Sequence, residues 1–137
     1  MKEAMLTTPP LGPATLAAPR LDRIDLLEYG RRARGRLNVT GTLPLFATHF
    51  PRYPVLPGVL LVESALALIR LAADDPWLRL RSAGRFRFRR FIVPGDEVVI
   101  EVFATTPDLS APQPDWRVEA TVDAESAVTI EELAVAR

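Results

Sequence analysis

The chain has 137 residues, 48% of them hydrophobic and 25% charged, and its 17 basic and 17 acidic residues cancel to a formal net charge of zero. That length suits one domain with a real core and is too short for two, and the balanced charge excludes a bulk field directed at nucleic acid or a membrane surface. The absence of cysteine excludes disulfides, thiolate catalysis and thiolate metal sites, and a single histidine, His49, removes mechanisms that need two, most zinc hydrolases among them.

Residues 1–19 hold Pro9, Pro10, Pro13 and Pro19 and read as a flexible, proline-rich arm before a domain over residues 20–137. No signal peptide and no bilayer-spanning apolar run is visible, so a cytoplasmic location is expected. Leu21–Tyr29 and Arg34–Thr40 are predicted strands joined at Gly30. Leu43–Pro57 carries Pro44, Pro51, Pro54 and Pro57 and is predicted as a loop, because proline resists regular elements. Val59–Ala73 is apolar on nearly all sides, which favours a buried helix that Asp74, Asp75 and Pro76 end. Leu80–Phe91 is predicted as a strand, Pro94-Gly95-Asp96 as a turn, and Glu97–Thr106 and Trp116–Val122 as further strands. Asp123–Ser126 closes a hairpin into Ala127–Ala136. Two strands, one buried helix and four strands define an α+β fold, with an antiparallel sheet wrapped around a central helix.

The chemistry concentrates in His49–Ala65, HFPRYPVLPGVLLVESA. Prolines stiffen the loop that carries His49, a potential base. Glu63 sits on the second turn of an apolar helix; burying a lone carboxylate is expensive unless it is protonated or paired, and a protonated carboxyl suits a general acid. Gly58 lies where free helix N–H groups polarise a carbonyl oxygen. A base, an acid and an oxyanion-binding N–H together suit elimination of water beta to a thioester. Each residue also has a plainer role: His49 on the surface or as a cap, Glu63 satisfying a backbone group or an arginine, and Pro57-Gly58 as a helix start.

This segment resembles the active-site stretch of FabZ-type 3-hydroxyacyl-[acyl-carrier-protein] dehydratases, which reads roughly GHFPxxPxMPGVLxxEAxAQ and keeps the same histidine-to-glutamate spacing. Arg87–Val102, RFRRFIVPGDEVVIEV, is similar to the family's RFRRPVxPGDxLxLEV, and Leu21–Thr40 is similar to its first hairpin. The resemblance implies a hot-dog fold that works as a dimer, with a substrate tunnel at the interface. It implies His49 of one protomer as base, Glu63 of the other as acid, and the N–H of Gly58 on the thioester carbonyl, with Phe50, Pro57 and Val59 beside the substrate. It implies an acyl carrier protein as partner, and no metal or organic cofactor beyond the substrate's own phosphopantetheine. Thr48 replaces the family's glycine, Ala67 its glutamine and Phe91 its proline, and PPLGPATLAAP replaces the usual N-terminal segment. These departures suggest a specialised relative, of a polyketide or other secondary pathway. Two other readings stay open: another hot-dog thioester enzyme (an enoyl hydratase or a thioesterase), and a non-catalytic subunit that completes a heterodimer.

Arg79, Arg81, Arg85, Arg87, Arg89 and Arg90 form the densest basic run. Arg85, Arg87 and Arg89 are expected on one strand face, and with Arg90 they are candidates for docking an acidic carrier protein. The alternative is a solvated face paired with Glu97, Glu101 and Glu119. Phe86 and Phe88 are expected to face inward, as core.

Overall fold

The computed structural model describes residues 21–40, 56, 58–105 and 114–137. The proline-rich arm and most of the proline loop, including His49, Phe50 and Pro57, lie outside the described residues. Within them, β1 (Arg23–Glu28) and β2 (Arg32–Asn38) precede one helix, α1 (Gly58–Ala73). Four strands follow: β3 (Arg79–Phe88), β4 (Glu97–Ala104), β5 (Trp116–Val122) and β6 (Glu125–Ala136). The strands form one antiparallel sheet in the order β1-β2-β4-β5-β6-β3.

Side-chain alternation explains which face of the sheet meets α1. In β4, Val98, Ile100 and Val102 are buried; in β5, Trp116, Val118, Ala120 and Val122 are buried, and the residues between them are not. Leu61, Ala65, Leu68, Ile69 and Ala72 of α1 pack into the same core. Burial on this scale is the main stabilising term, at roughly 1.5–3 kcal/mol for each fully enclosed leucine or isoleucine.

Local devices set the ends. Gly30 turns β1 into β2 with φ +76° and donates its N–H to the Ala72 carbonyl at 2.7 Å, which ties the first hairpin to the end of α1. Asp74 adopts a left-handed φ of 55°, and the N–H groups of Asp74 and Asp75 bond back to Leu71 and Arg70, closing the helix. Asp123 and Ala124 both have positive φ, the geometry of a two-residue hairpin. That tight turn lets β6 begin at Glu125, two residues before the expected start, because Val122 already pairs with Glu125. The first two strands also differ from expectation by about two residues at their ends, and β3 stops at Phe88, leaving Phe91 outside the sheet.

Candidate functional site

Gly58 is the first helical residue of α1, so its N–H belongs to the unpaired first turn of the helix. The chain reaches it through Leu56, whose N–H donates to the Ile92 carbonyl at 2.7 Å. One helical turn on from Val59 comes Glu63. Val59 is exposed and Glu63, Ala67 and Arg70 are half-buried, so these four positions form the least covered stripe of an otherwise enclosed helix. Glu63 is thus half-buried in the single chain and not enclosed as the apolar sequence around it suggests. Arg70 stands two turns beyond it, about 10 Å along the axis. Its Nε donates to the Leu78 carbonyl at 2.8 Å. Burial holds the Arg70 guanidinium below its ordinary value, and the charge of Glu63 acts in the opposite direction.

At the Val59 end of this stripe lies an apolar groove of about 400 Å³, lined by Gly58, Val59 and Val62 of α1 and Leu80, Ala83, Phe86 and Phe88 of β3; Glu63 is not among its lining residues. A smaller cleft at the helix N-terminus is lined by Leu56, Gly58, Leu61, Phe88, Arg90, Phe91, Ile92 and Val128. Phe88 joins the two. The expectation that Phe86 and Phe88 are core is therefore corrected: both face the helix side of the sheet, but they are 38% and 63% exposed and stack on each other at 5.8 Å. Inward alternation placed them on the right face, yet among the described residues nothing covers that face beyond β6. Leu80 and Val62, which no sequence motif singles out, belong to the same wall.

The arginines are arranged differently from the expectation. Arg85 has a left-handed φ of 57°, so Ala83 and Phe86 both reach the groove and strict alternation breaks between them. Arg85 pairs with Glu132 at 3.5 Å and Arg90 with Asp96 at 3.4 Å. Arg87 and Arg89 are exposed, and neither pairs with a carboxylate among the described residues. The carboxylates expected to neutralise this run are taken elsewhere: Glu97 by Arg36, Glu101 by Arg32 and Arg34, Glu119 by Arg117. The strand order gives the reason, since among the described residues β3 has only β6 as neighbour and stands at the far side of β6 from β4 and β5. Among the described residues no group of three or more histidines and carboxylates is placed to hold a metal ion, and no helix is long and apolar enough to cross a membrane.

The family model of the ApeI-like proteins, described as ApeI dehydratase, matches residues 27–127. The 3-hydroxyacyl-[acyl-carrier-protein] dehydratase FabZ of Exiguobacterium sibiricum is 40% identical over 117 residues, covering 81% of this chain and 82% of that protein. The FabZ of Pelotomaculum thermopropionicum is 44% identical over 88 residues, a match that spans 60% of this chain and 63% of that protein. Among solved structures, the dehydratase heterocomplex ApeI:P from Xenorhabdus doucetiae superposes with a TM-score of 0.70 at 20% identity, over 88% of this chain and all of the matched one. The (R)-hydratase from A. caviae involved in PHA biosynthesis superposes with a TM-score of 0.62 at 20% identity, over 78% of this chain and 95% of that one. These likenesses establish the hot-dog fold, and the first two make the chain a member of the family of FabZ and ApeI-like dehydratases.

Proposed function

We propose that the chain dehydrates a 3-hydroxyacyl thioester carried on an acyl carrier protein to the trans-2-enoyl thioester, in fatty-acid or polyketide synthesis. The observation that carries this reading is the helix start at Gly58, which opens on an apolar groove large enough for an acyl chain, with Glu63 one turn farther on. The N–H of Gly58 donates to the thioester carbonyl oxygen and stabilises the enolate charge that develops when His49 removes the C2 proton. Glu63, as the acid, gives a proton to the C3 hydroxyl as the C3–O bond breaks, and water leaves. Phe50, Pro57 and Val59 border the acyl chain. The substrate's phosphopantetheine arm supplies the thioester, and the reaction needs no metal or organic cofactor.

The half-covered stripe of Val59, Glu63, Ala67 and Arg70 and the open groove beside it support a two-chain enzyme, in which His49 of one chain acts with Glu63 of the other. Arg90 lines the cleft beside Gly58 and Arg89 precedes it, so these two are the arginines best suited to meet an acidic carrier, and exposed Arg85 and Arg87 extend the same basic surface.

Intact-mass measurement of a short 3-hydroxyacyl carrier protein tests the reaction. The wild type is expected to remove one water, while His49→Ala and Glu63→Gln each lose about a hundredfold or more, the usual weight of general acid–base catalysis. Release of free thiol in place of water loss would assign a thioesterase. No turnover across several chain lengths would assign a non-catalytic subunit.

A further inference from the structure

The apolar wall of the groove depends on a fault in the sheet. In β6, Val128 and Ile130 are buried, then Leu133 and Val135, and Glu131 and Glu132 between them are not. Two residues stand there where alternation allows one. The register with β5 slips at this point: Trp116 faces Leu133 but Val118 faces Ile130, so β6 spends one residue more than β5, a bulge.

β3 follows β6 through the bulge without slipping. Ala83 faces Leu133, Gly84 faces Glu132 and Phe86 faces Ile130. Ala83 and Phe86 are three apart in the chain, yet both line the groove. The residue that absorbs the odd step is Arg85, whose φ of 57° is left-handed. That conformation is costly for any side chain larger than glycine and persists only where the surroundings fix it.

The alternative shows what the fault achieves. With an extended backbone at position 85, alternation running on from Ala83 turns Arg85, Arg87 and Arg89 toward the groove and Phe86 and Phe88 away from it. A wall of guanidinium groups is a poor surface for a hydrocarbon, because burying a charge without a partner is expensive. The backbone of one residue thus separates a phenylalanine wall from an arginine wall. The Arg85 side chain itself points elsewhere: it pairs with Glu132 at 3.5 Å, with 69% and 64% of the two side chains exposed, and such a pair contributes little.

We propose that Arg85 is a positioning residue whose left-handed backbone, and not its charge, fixes Phe86 and Phe88 as the groove wall and so sets the preference for long apolar acyl chains over short ones. This rests on the reading of the groove as the acyl site and deepens it by naming what determines its specificity.

The test compares Arg85→Gly, Arg85→Asn, Arg85→Ala and Arg85→Val in the full chain. All four remove the guanidinium, so they differ in the backbone they tolerate: glycine and asparagine accept a left-handed φ, alanine less so, and β-branched valine least. After circular dichroism shows each variant folded, isothermal titration calorimetry reads the binding of decanoyl-pantetheine and acetyl-pantetheine. The glycine and asparagine variants are expected to bind the decanoyl compound about tenfold or more tighter than the valine variant, the equivalent of burying about two methylene groups. The acetyl compound is expected to separate them by less than about threefold. Should the valine variant not fold, the alanine variant takes its place, with an expected gap of about threefold or more from glycine.

Variants that bind the decanoyl compound alike overturn the proposal. So does an equal loss on both compounds, which would be a general disturbance of the site and not a change of its wall. Binding is read without turnover. A chain that ranks the variants as expected but removes no water loses the dehydratase reading and keeps this one; a chain that dehydrates and binds all the variants alike does the reverse.

Discussion

The ring of Phe88 closes directly on Gly58: a β-carbon built on the glycine stands 3.2 Å from two carbons of that ring. The first residue of α1 and the wall of the groove are thus in contact, and a side chain at position 58 narrows the space in front of the helix N–H. Gly58→Ala is expected to change stability by no more than about 1 kcal/mol, because alanine favours helix and the exposed ring can shift. It is expected to lower kcat/KM by tenfold or more, about 1.4 kcal/mol. Adding Phe88→Leu should restore part of the loss. Steady-state kinetics of the single and double variants decide it; a double variant as slow as the single one would show that the lost activity is not steric.

Gly35 sits where β2 packs on α1, and there the space is closed by a backbone carbonyl and two leucine side chains. A β-carbon would lie 3.2 Å from the Arg23 carbonyl oxygen, 3.2 Å from Leu68 and 3.3 Å from Leu21. Leu68 is fully buried and the carbonyl belongs to the neighbouring strand. Gly35→Ala should destabilise the fold by about 1–3 kcal/mol, as overpacking does. Urea denaturation measures it, and an unchanged midpoint would mean that the first hairpin moves freely on the helix.

Asp75 links the end of α1 to the end of β6. It is buried, accepts from the Arg137 Nε at 2.8 Å and from the Trp77 N–H at 3.0 Å. Burial pushes its carboxyl up, but Arg137 and the Trp77 N–H together hold it below the ordinary 3.8. A depressed carboxyl stabilises the folded chain above its unfolded value and loses that contribution as pH falls through the folded one. Arg137→Ala is therefore expected to lower the thermal midpoint at pH 7, and the gap to wild type should shrink as pH drops below about 4. Midpoints measured from about pH 7 down to about pH 2.5 span that loss and give the comparison; a constant gap would assign the loss to packing.

Arg89 is exposed, bonds to Ala127 through its backbone N–H, and stands next in the chain to Arg90, which lines the cleft at the helix N-terminus. Arg89→Glu is expected to raise KM for a carrier-bound substrate about fivefold or more, with a smaller effect on kcat, because rim charges act mainly on encounter. The same substrate on coenzyme A should be much less affected. Equal losses on both substrates would place Arg89 against the phosphopantetheine phosphate and not against the carrier surface.

Much of this protein is legible in the order of its residues. Alternating apolar residues mark β4 and β5, because a half-buried strand must put every second side chain into the core. The almost wholly apolar run Val59–Ala73 is too long for a strand and reads as a central helix, with Glu63 on it and Gly58 at its start by position alone. The spacing from His49 to Glu63 carries the resemblance to the dehydratases, and the family match bears it out.

Only the tertiary structure decided the rest, since it depends on which strands become neighbours. Alternation assigns Phe86 and Phe88 to the inward face but does not say whether anything covers that face; the strand order does, by leaving β3 at the edge. The same order sends Glu97, Glu101 and Glu119 to other arginines and, among the described residues, leaves Arg85 as the one arginine of β3 with a carboxylate partner. A sequence lists charges and periods, whereas pairing is a long-range choice made by the packing of the whole sheet on α1.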